Sequence, residues 1–302
     1  MLRRETVTPH TLELLKSLMQ KDYLQQFVLV GGTVRNDIFA DVKERLEIIP
    51  VDLLKQYSQK VSKGLQTSFN KLKEAEISTK TFSFYTSVSA ITSSRIEGEQ
   101  MEVDSYIKHK MLNIKYLPDL VQKPNDLYKA YLFAQQNKLT KAHFLKAHTL
   151  LATHLLPKNK QGVCRSVNMV VMEHKNRIQY EAAPFNKVKR LFELLWKDIE
   201  RLKKQELTVK EVFYFASFIH IVFVNIHPFE DGNGRAGRLL EKWFIAEKLG
   251  KKAWYLQSEL NYYTHVNDYY KNLNRLGMFY EQLDYNKAMP FLLMLPNSLK
   301  VK

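Results

Sequence analysis

Thirteen residues in the last third of the chain, Val212 to Val224, read VFYFASFIHIVFV and leave almost no polar side on a helical wheel. A helix that is apolar around its whole circumference belongs inside a bundle, with other helices packed on every face. Its ends are marked locally. Thr208-Val209-Lys210-Glu211 has the hydroxyl and carboxylate three residues apart that make a capping box. Pro228 pushes the residue before it out of the α region and so closes the helix. The longer stretch Val212–Ile226 is interrupted by Ser217, His220 and Asn225, and falls short of the roughly 18 apolar residues expected of a membrane span.

The rest of the chain fits around such a helix. Ten glycines and nine prolines in 302 residues leave long stretches with helical spacing, which predicts an all-α architecture. Gln122-Lys123-Pro124-Asn125-Asp126 reads as a helix start. It divides an N-terminal helical region, 1–122, from a core, 123–302. Thr140 caps a helix whose apolar positions Phe144, Leu145, Leu150, Leu151 and Leu155 lead to Pro157. Residues 167–182 alternate instead, and predict a small hairpin turning at His174-Lys175-Asn176. Helices follow at 187–203 and from Asn233 to Gly250, a C-terminal glycine. One or two more helices are expected in the last fifty residues, with Pro290 and Pro296 as breaks.

Charge and cysteine narrow the classes. Lysine and arginine number 46 against 31 acids, a net charge of +15, which favours an anionic partner without choosing one. One cysteine, Cys164, excludes an intramolecular disulfide framework and a cysteine-rich zinc site. The opening MLRRETVTPH has no apolar run behind it, so a cytoplasmic setting is expected.

The segment after the apolar helix carries the chemistry: His227-Pro228-Phe229-Glu230-Asp231-Gly232-Asn233-Gly234-Arg235-Ala236-Gly237-Arg238. Gly232 and Gly234 allow positive φ and close backbone approach just before a helix N-terminus, where free amides and the helix dipole make an anion site. Arg235 and Arg238, three apart, project from one face of the first turn. Two cations there oppose the dipole, a cost that a bound polyphosphate reverses. Asp231 suits a Mg²⁺ that bridges phosphate oxygens, and His227 is a titratable base at the rim. A calcium loop counted from Asp231 fails at its twelfth position, which is Lys242. A Walker loop fails because no Gly-Lys-Ser/Thr follows these glycines.

This run resembles the signature of the Fic family, H-x-F-x-[D/E]-G-N-G-R-x-x-R, at every fixed position. The resemblance extends to Gly162-Val163-Cys164-Arg165, to the hairpin with Ala183-Pro184, and to the aromatic pair in Asp268-Tyr269-Tyr270, covering roughly residues 80–295. It implies a mostly helical Fic fold with a β-hairpin flap, and transfer of AMP from ATP to a Ser, Thr or Tyr hydroxyl of a target protein. His227 would be the base and Asp231 would carry Mg²⁺. Gly232, Asn233 and Gly234, including the Asn233 side chain, would cradle the α and β phosphates. Arg235 would steady the leaving pyrophosphate, Arg238 would hold the γ-phosphate, and Phe229 would anchor the loop. The resemblance offers Tyr270 for adenine, whereas the residue alone reads as a core aromatic. The target segment would lie along the flap by strand addition; self-modification and a homodimer also follow from the resemblance.

Ser93-Ser94-Arg95-Ile96-Glu97-Gly98 is similar to the family's inhibitory pattern [S/T]-x-x-x-E-[G/N]. Glu97 would end a helix before Gly98, where an acid opposes the dipole unless it meets a cation; the family's cation is the second motif arginine, here Arg238. Rival readings are transfer of phosphate or phosphocholine, removal of AMP, an antitoxin-controlled toxin, and a nucleic-acid-binding regulator suggested by the charge. Intact Gly234 argues for AMP over phosphate, and no zinc-finger or RNA-binding signature supports the regulator. His143, His148, His220 and Cys164 read as structural.

Overall fold

The computed structural model describes residues 46–79, 82–173 and 177–300. The first 45 residues of the expected N-terminal region, and the turn at His174–Asn176, lie outside the described residues. The elements run α1 (Leu54–Lys60), α2 (Leu65–Asn70), α3 (Phe84–Ile96), α4 (Val103–Leu112), α5 (Pro118–Gln136), α6 (Lys141–Leu151), β1 (Val170–Glu173) and β2 (Arg177–Glu181). They continue with α7 (Phe185–Lys204), α8 (Val209–Ile226), α9 (Asn233–Leu249), α10 (Ser258–Thr264), α11 (Val266–Asn274), α12 (Met289–Leu292) and α13 (Met294–Asn297). The fold is mostly helical, as expected.

α8 is the axis of the body. The Thr208 hydroxyl accepts from the Glu211 amide and the Glu211 carboxylate accepts from the Thr208 amide, so the capping box forms in full. α9 packs along α8, and α1, α7, α12 and α13 surround it. The helix is longer than its unbroken apolar run implied. Among the described residues it alone is long and apolar enough to cross a bilayer, yet 94% of that stretch is buried inside the protein. Its burial is explained by packing: Phe144, Phe192, Phe223 and Phe229 meet in edge-on and tilted contacts at the junction of α6, α7, α8 and the following loop.

α7 is amphipathic and carries Asp198 inward, where its carboxylate accepts from the amides of Glu47, Ile48 and Ile49 and ties the incoming chain to the core. α3 is the surprise. Thr86, Ser87, Ser89, Thr92, Ser93 and Ser94 are all buried in it, between α5 and α10.

The helix start expected at 122–126 is corrected. α5 begins at Pro118, in the first-turn position where a missing N–H costs nothing, and runs straight through Pro124. Pro290 and Pro296 likewise sit inside the short helices α12 and α13 and do not separate longer ones. The hairpin forms where alternation placed it, antiparallel with a register shift between Val171 and Met172. Its second strand also takes a parallel bridge between Glu181 and Phe279, the Glu181 amide donating to the Met278 carbonyl at 2.7 Å.

Candidate active site

α8 ends on His227, a residue in the left-handed region (φ 52°, ψ 61°) whose amide donates to the Phe223 carbonyl. Such a backbone is unfavourable for a side chain with a Cβ and needs support from outside. Arg165 supplies it. Its buried guanidinium donates to the carbonyls of Ile226, His227, Ala183 and Val167. One cation thus caps the negative end of α8 and fastens the base of the hairpin to it.

The loop beyond is pinned from below. Phe229 is buried and stacks on His148, ring centroids 3.6 Å apart. His148 Nδ1 accepts from the Gly162 amide, so its hydrogen is on Nε2, which donates to the Asp231 carbonyl at 3.0 Å. Burial drives the His148 pKa down to about 4. The structural reading of His148 holds, but what it structures is this loop.

Gly232 sits at φ 78° and opens α9, a left-handed backbone that glycine adopts without strain. Gly234 serves differently from the expectation: its φ is not positive, and what it supplies is room. A Cβ there would collide with the Glu97 carboxylate and come within 3.3 Å of the Arg238 guanidinium. Asn233 is also corrected. Its side-chain oxygen accepts from the Phe229 amide and its nitrogen donates to the Phe229 carbonyl, so the buried amide is spent on the loop's shape and is not left for phosphate.

A cleft of about 770 Å³ opens beside the loop, and His227, Gly234, Tyr180, Tyr270, Glu97 and Gly98 line it. Asp231, Gly232, Asn233, Arg235, Arg238 and Ser93 lie outside that lining. Tyr270 is partly exposed and donates to the Ile96 carbonyl at 3.0 Å, so it is a wall of the cleft and not a core aromatic. His227 is half-buried as a residue and borders the cleft. Burial is the main cause that pulls its pKa to about 4, against the Val224 carbonyl, which pulls upward. At neutral pH it is therefore uncharged, the state in which an imidazole accepts a proton.

Both arginines are occupied. Arg238 is fully buried; its Nε and Nη2 donate to the Ser93 hydroxyl and carbonyl at 2.8 and 3.0 Å. Nη2 also reaches Glu97 Oε1 at 2.6 Å, and Nη1 donates to the Tyr269 hydroxyl at 3.2 Å. Behind Tyr269 stand His220 and Glu241, at 3.0 and 2.9 Å in sequence, which confirms His220 as a hydrogen-bonded core histidine. Burial raises the Glu97 pKa, but Arg238 and then Arg235 outweigh it and hold the carboxyl below its ordinary value. Its side chain keeps 30% of its surface exposed, at the cleft rim. Arg235 donates through Nη2 to Glu99 Oε1 at 2.9 Å, an oxygen that also accepts from Lys123 at 3.0 Å. The buried Arg235 Nε has no partner.

A magnesium ion has one donor to meet. Asp231 is exposed and its Oδ1 accepts from the Gly232 amide, which leaves Oδ2. No group of three or more His, Cys, Asp or Glu forms a protein cage among the described residues. A lone carboxylate fits Mg²⁺, which takes one or two carboxylates and completes its shell with substrate phosphates and water.

Sequence reasoning missed Tyr180, Glu99 and the placement of His148. Each acts through a partner far along the chain, 47 residues away for Tyr180 and 136 for Glu99, so no local spacing marks them.

Comparison with known proteins agrees with this fold. Residues 138–245 match the Fic/DOC family. A Fic family protein from Desulfovibrio desulfuricans G20 is similar in structure at a TM-score of 0.61 and 19% identity, covering 91% of this chain and 74% of that one. Fic-1 from C. elegans is similar at 0.56 and 16%, covering 89% and 71%. A Fic domain containing signaling protein from Bacteroides thetaiotaomicron VPI-5482 is similar at 0.54 and 17%, covering 87% and 94%. No curated protein matches the chain.

Proposed function

We propose that this chain, in which residues 138–245 form a Fic/DOC family domain, is a protein adenylyltransferase held in check by its own Glu97. The observation that carries the reading is the convergence on one cleft of an uncharged imidazole, Gly234 in the first turn of a helix, and Glu97, the acid that engages Arg238 behind it. Phosphoryl-type transfer asks little covalent chemistry of a protein and much alignment and charge stabilisation, which is what these parts offer.

In the reaction, His227 Nε2 takes the proton of a target hydroxyl. The hydroxyl oxygen bonds to the α-phosphorus of ATP, the bond from that phosphorus to the bridging oxygen breaks, and pyrophosphate leaves. The amides at the start of α9 precede any intrahelical partner and face the phosphates. Asp231 would hold Mg²⁺, which when bound would neutralise charge on the phosphates. Arg235 and Arg238 bind the β and γ end once released from Glu99 and Glu97. While Glu97 holds Arg238, the γ-phosphate has no guanidinium and ATP lies unproductively. The hairpin receives the target segment along its edge; at Glu181 that edge is already taken by Met278–Phe279, which leaves the stretch nearer Tyr180 for strand addition.

The test compares the parent with Glu97→Gly, each incubated with Mg-ATP. Release of one charge-assisted pair is worth about 1.5–3 kcal/mol, or roughly 10- to 100-fold in labelling rate. The variant is expected to gain about 329 Da, the mass of one AMP on a hydroxyl, and to label faster with α-labelled ATP. Equal labelling of both proteins removes Glu97 from the account. A gain of about 80 Da would assign phosphate transfer instead, which the same chemistry permits.

A further inference from the structure

Tyr180 stands at the end of β2 with its hydroxyl against the base. Tyr180 Oη donates to the Val224 carbonyl at 3.0 Å and lies 2.7 Å from His227 Nδ1. His227 Nδ1 is itself 3.2 Å from the same carbonyl. The rings meet edge-on, centroids 5.9 Å apart at 68°. Three polar atoms therefore form a closed triangle, and only certain hydrogen placements satisfy it.

Were Nδ1 bare, its lone pair would face a carbonyl lone pair at 3.2 Å, and the Tyr180 hydrogen would have to choose between the two. With the hydrogen on Nδ1 and the phenol hydrogen on the carbonyl, every contact is a donor meeting an acceptor. Nδ1–H is then shared by the Val224 carbonyl and the Tyr180 oxygen. Nε2 carries no hydrogen, and its lone pair is the one that faces outward as a base. We infer that Tyr180 is a positioning residue: the Val224 carbonyl, which can only accept, selects the Nδ1–H tautomer of His227, the Tyr180 oxygen takes the shorter bond from that hydrogen and so aims the ring, and the place of Tyr180 on the hairpin links the strand that receives a target to the readiness of the base. Burial holds the Tyr180 phenol protonated far above neutral pH, so it can play this part throughout the working range. The charged groups that act on the imidazole are Arg165 at the hairpin base and Glu97 beyond α3, pulling in opposite directions. Neither prefers one ring nitrogen by contact, so tautomer choice falls to the triangle.

The inference rests on His227 being the base, and the experiment separates the two. Full-length protein labelled with ¹⁵N-histidine, its His227 signals identified by their loss in His227→Ala, reports which ring nitrogen is protonated at pH 7 without any turnover. Expected is a protonated Nδ1 and a bare Nε2 in the parent. In Tyr180→Phe, which keeps the ring and its packing, the Val224 carbonyl should keep the hydrogen on Nδ1, while the Nδ1 signal shifts with loss of the 2.7 Å contact. An Nε2–H parent, or an unmoved Tyr180→Phe, overturns the inference whatever the enzyme does. Activity is the second readout. In the Glu97→Gly background, Tyr180→Phe should lower kcat about tenfold with KM for ATP unchanged; a changed KM with intact kcat would assign Tyr180 to nucleotide binding instead. If the tautomer is as expected but no AMP is transferred by any form, the proposed function fails and the positioning role stands.

Discussion

α8 and α3 are both buried nearly all round, and they are buried by opposite means. α8 fills its surroundings with Phe213, Phe215, Phe218, Ile219 and Phe223, side chains that each withdraw enough apolar surface to contribute about 1.5–3 kcal/mol. α3 offers Ser and Thr hydroxyls, and each must find a partner. Thr92 donates back to the Val88 carbonyl, Ser89 to Glu259, and Ser93 accepts from Arg238, while the Ser94 hydroxyl has none. The apolar helix ends in the proposed base, His227, and the hydroxyl-rich one ends in the proposed restraint, Glu97. The first thus stands on a tightly packed apolar element, whereas the second is held by a few polar contacts, the kind that a competing anion can replace.

The largest effect expected tests the α8 end. His227→Ala should lower AMP transfer about 10²- to 10⁴-fold, because the base acts only as the hydroxyl attacks. ATP affinity, measured by calorimetry in the Glu97→Gly background, should stay within a few-fold. Loss of binding together with activity would mean that the ring holds the loop, and the contrast between a reacting end and a restraining end would break.

What could be read from the sequence follows the same divide. α8 and the loop after it announce themselves, since an unbroken apolar run, a capping box and a proline leave one solution, and the glycines and arginines follow at fixed spacing. α3 does not. Small and hydroxyl side chains, spread around the whole helix, give no apolar face to read, and its burial depends on partners such as Glu259 and Arg238 that lie far off in sequence. The pairing of Glu97 with Arg238 was within reach only through the family resemblance. Pro124 misled because proline normally opens a helix; here Pro118 had already opened it, and the later ring is absorbed within α5. The Asn233 side chain was assigned to phosphate through the family resemblance, yet the tight return of the chain to Phe229 needs both ends of that amide.

Acid should separate the two regions next. The His148 pKa falls to about 4 in the fold, against about 6.5 when unfolded. A lowered histidine contributes stability that is complete above the unfolded value and is lost as pH falls toward the folded one. From pH 7 to pH 5, His148 alone should cost about 2 kcal/mol, with His227 acting in the same direction. The Glu97–Arg238 pair behaves differently. Its carboxyl is held below the usual range, so the pair persists through this interval and weakens only in stronger acid. Urea denaturation at the two pH values checks this: His148→Gln should lose less between pH 7 and pH 5 than the parent. Equal losses would place the acid sensitivity elsewhere.

The smallest effect probes how far the restraint at the α3 end extends. Glu99 lies two residues past Glu97 and holds the other arginine, Arg235, at 2.9 Å. The pair is mostly buried, 4% exposed on Arg235 and 13% on Glu99, but Lys123 shares the same oxygen, so the carboxylate is balanced without Arg235. Removing the charge of Glu99 leaves the buried Arg235 guanidinium without its acid, so a bound phosphate becomes its natural counter-ion. Glu99→Gln keeps the length and an acceptor oxygen while removing the charge, and should raise labelling about two- to fivefold, in keeping with about 0.5–1 kcal/mol for a partly screened pair. The double variant decides the mechanism. If Glu99 and Glu97 restrain separate arginines, the increase persists at the same factor in the Glu97→Gly background. If Glu99 merely steadies the segment that presents Glu97, the increase disappears once Glu97 is gone. Two arginines in two buried settings, each with its own acid, favour the first outcome, and labelling unchanged by Glu99→Gln in both backgrounds would confine the restraint to Glu97.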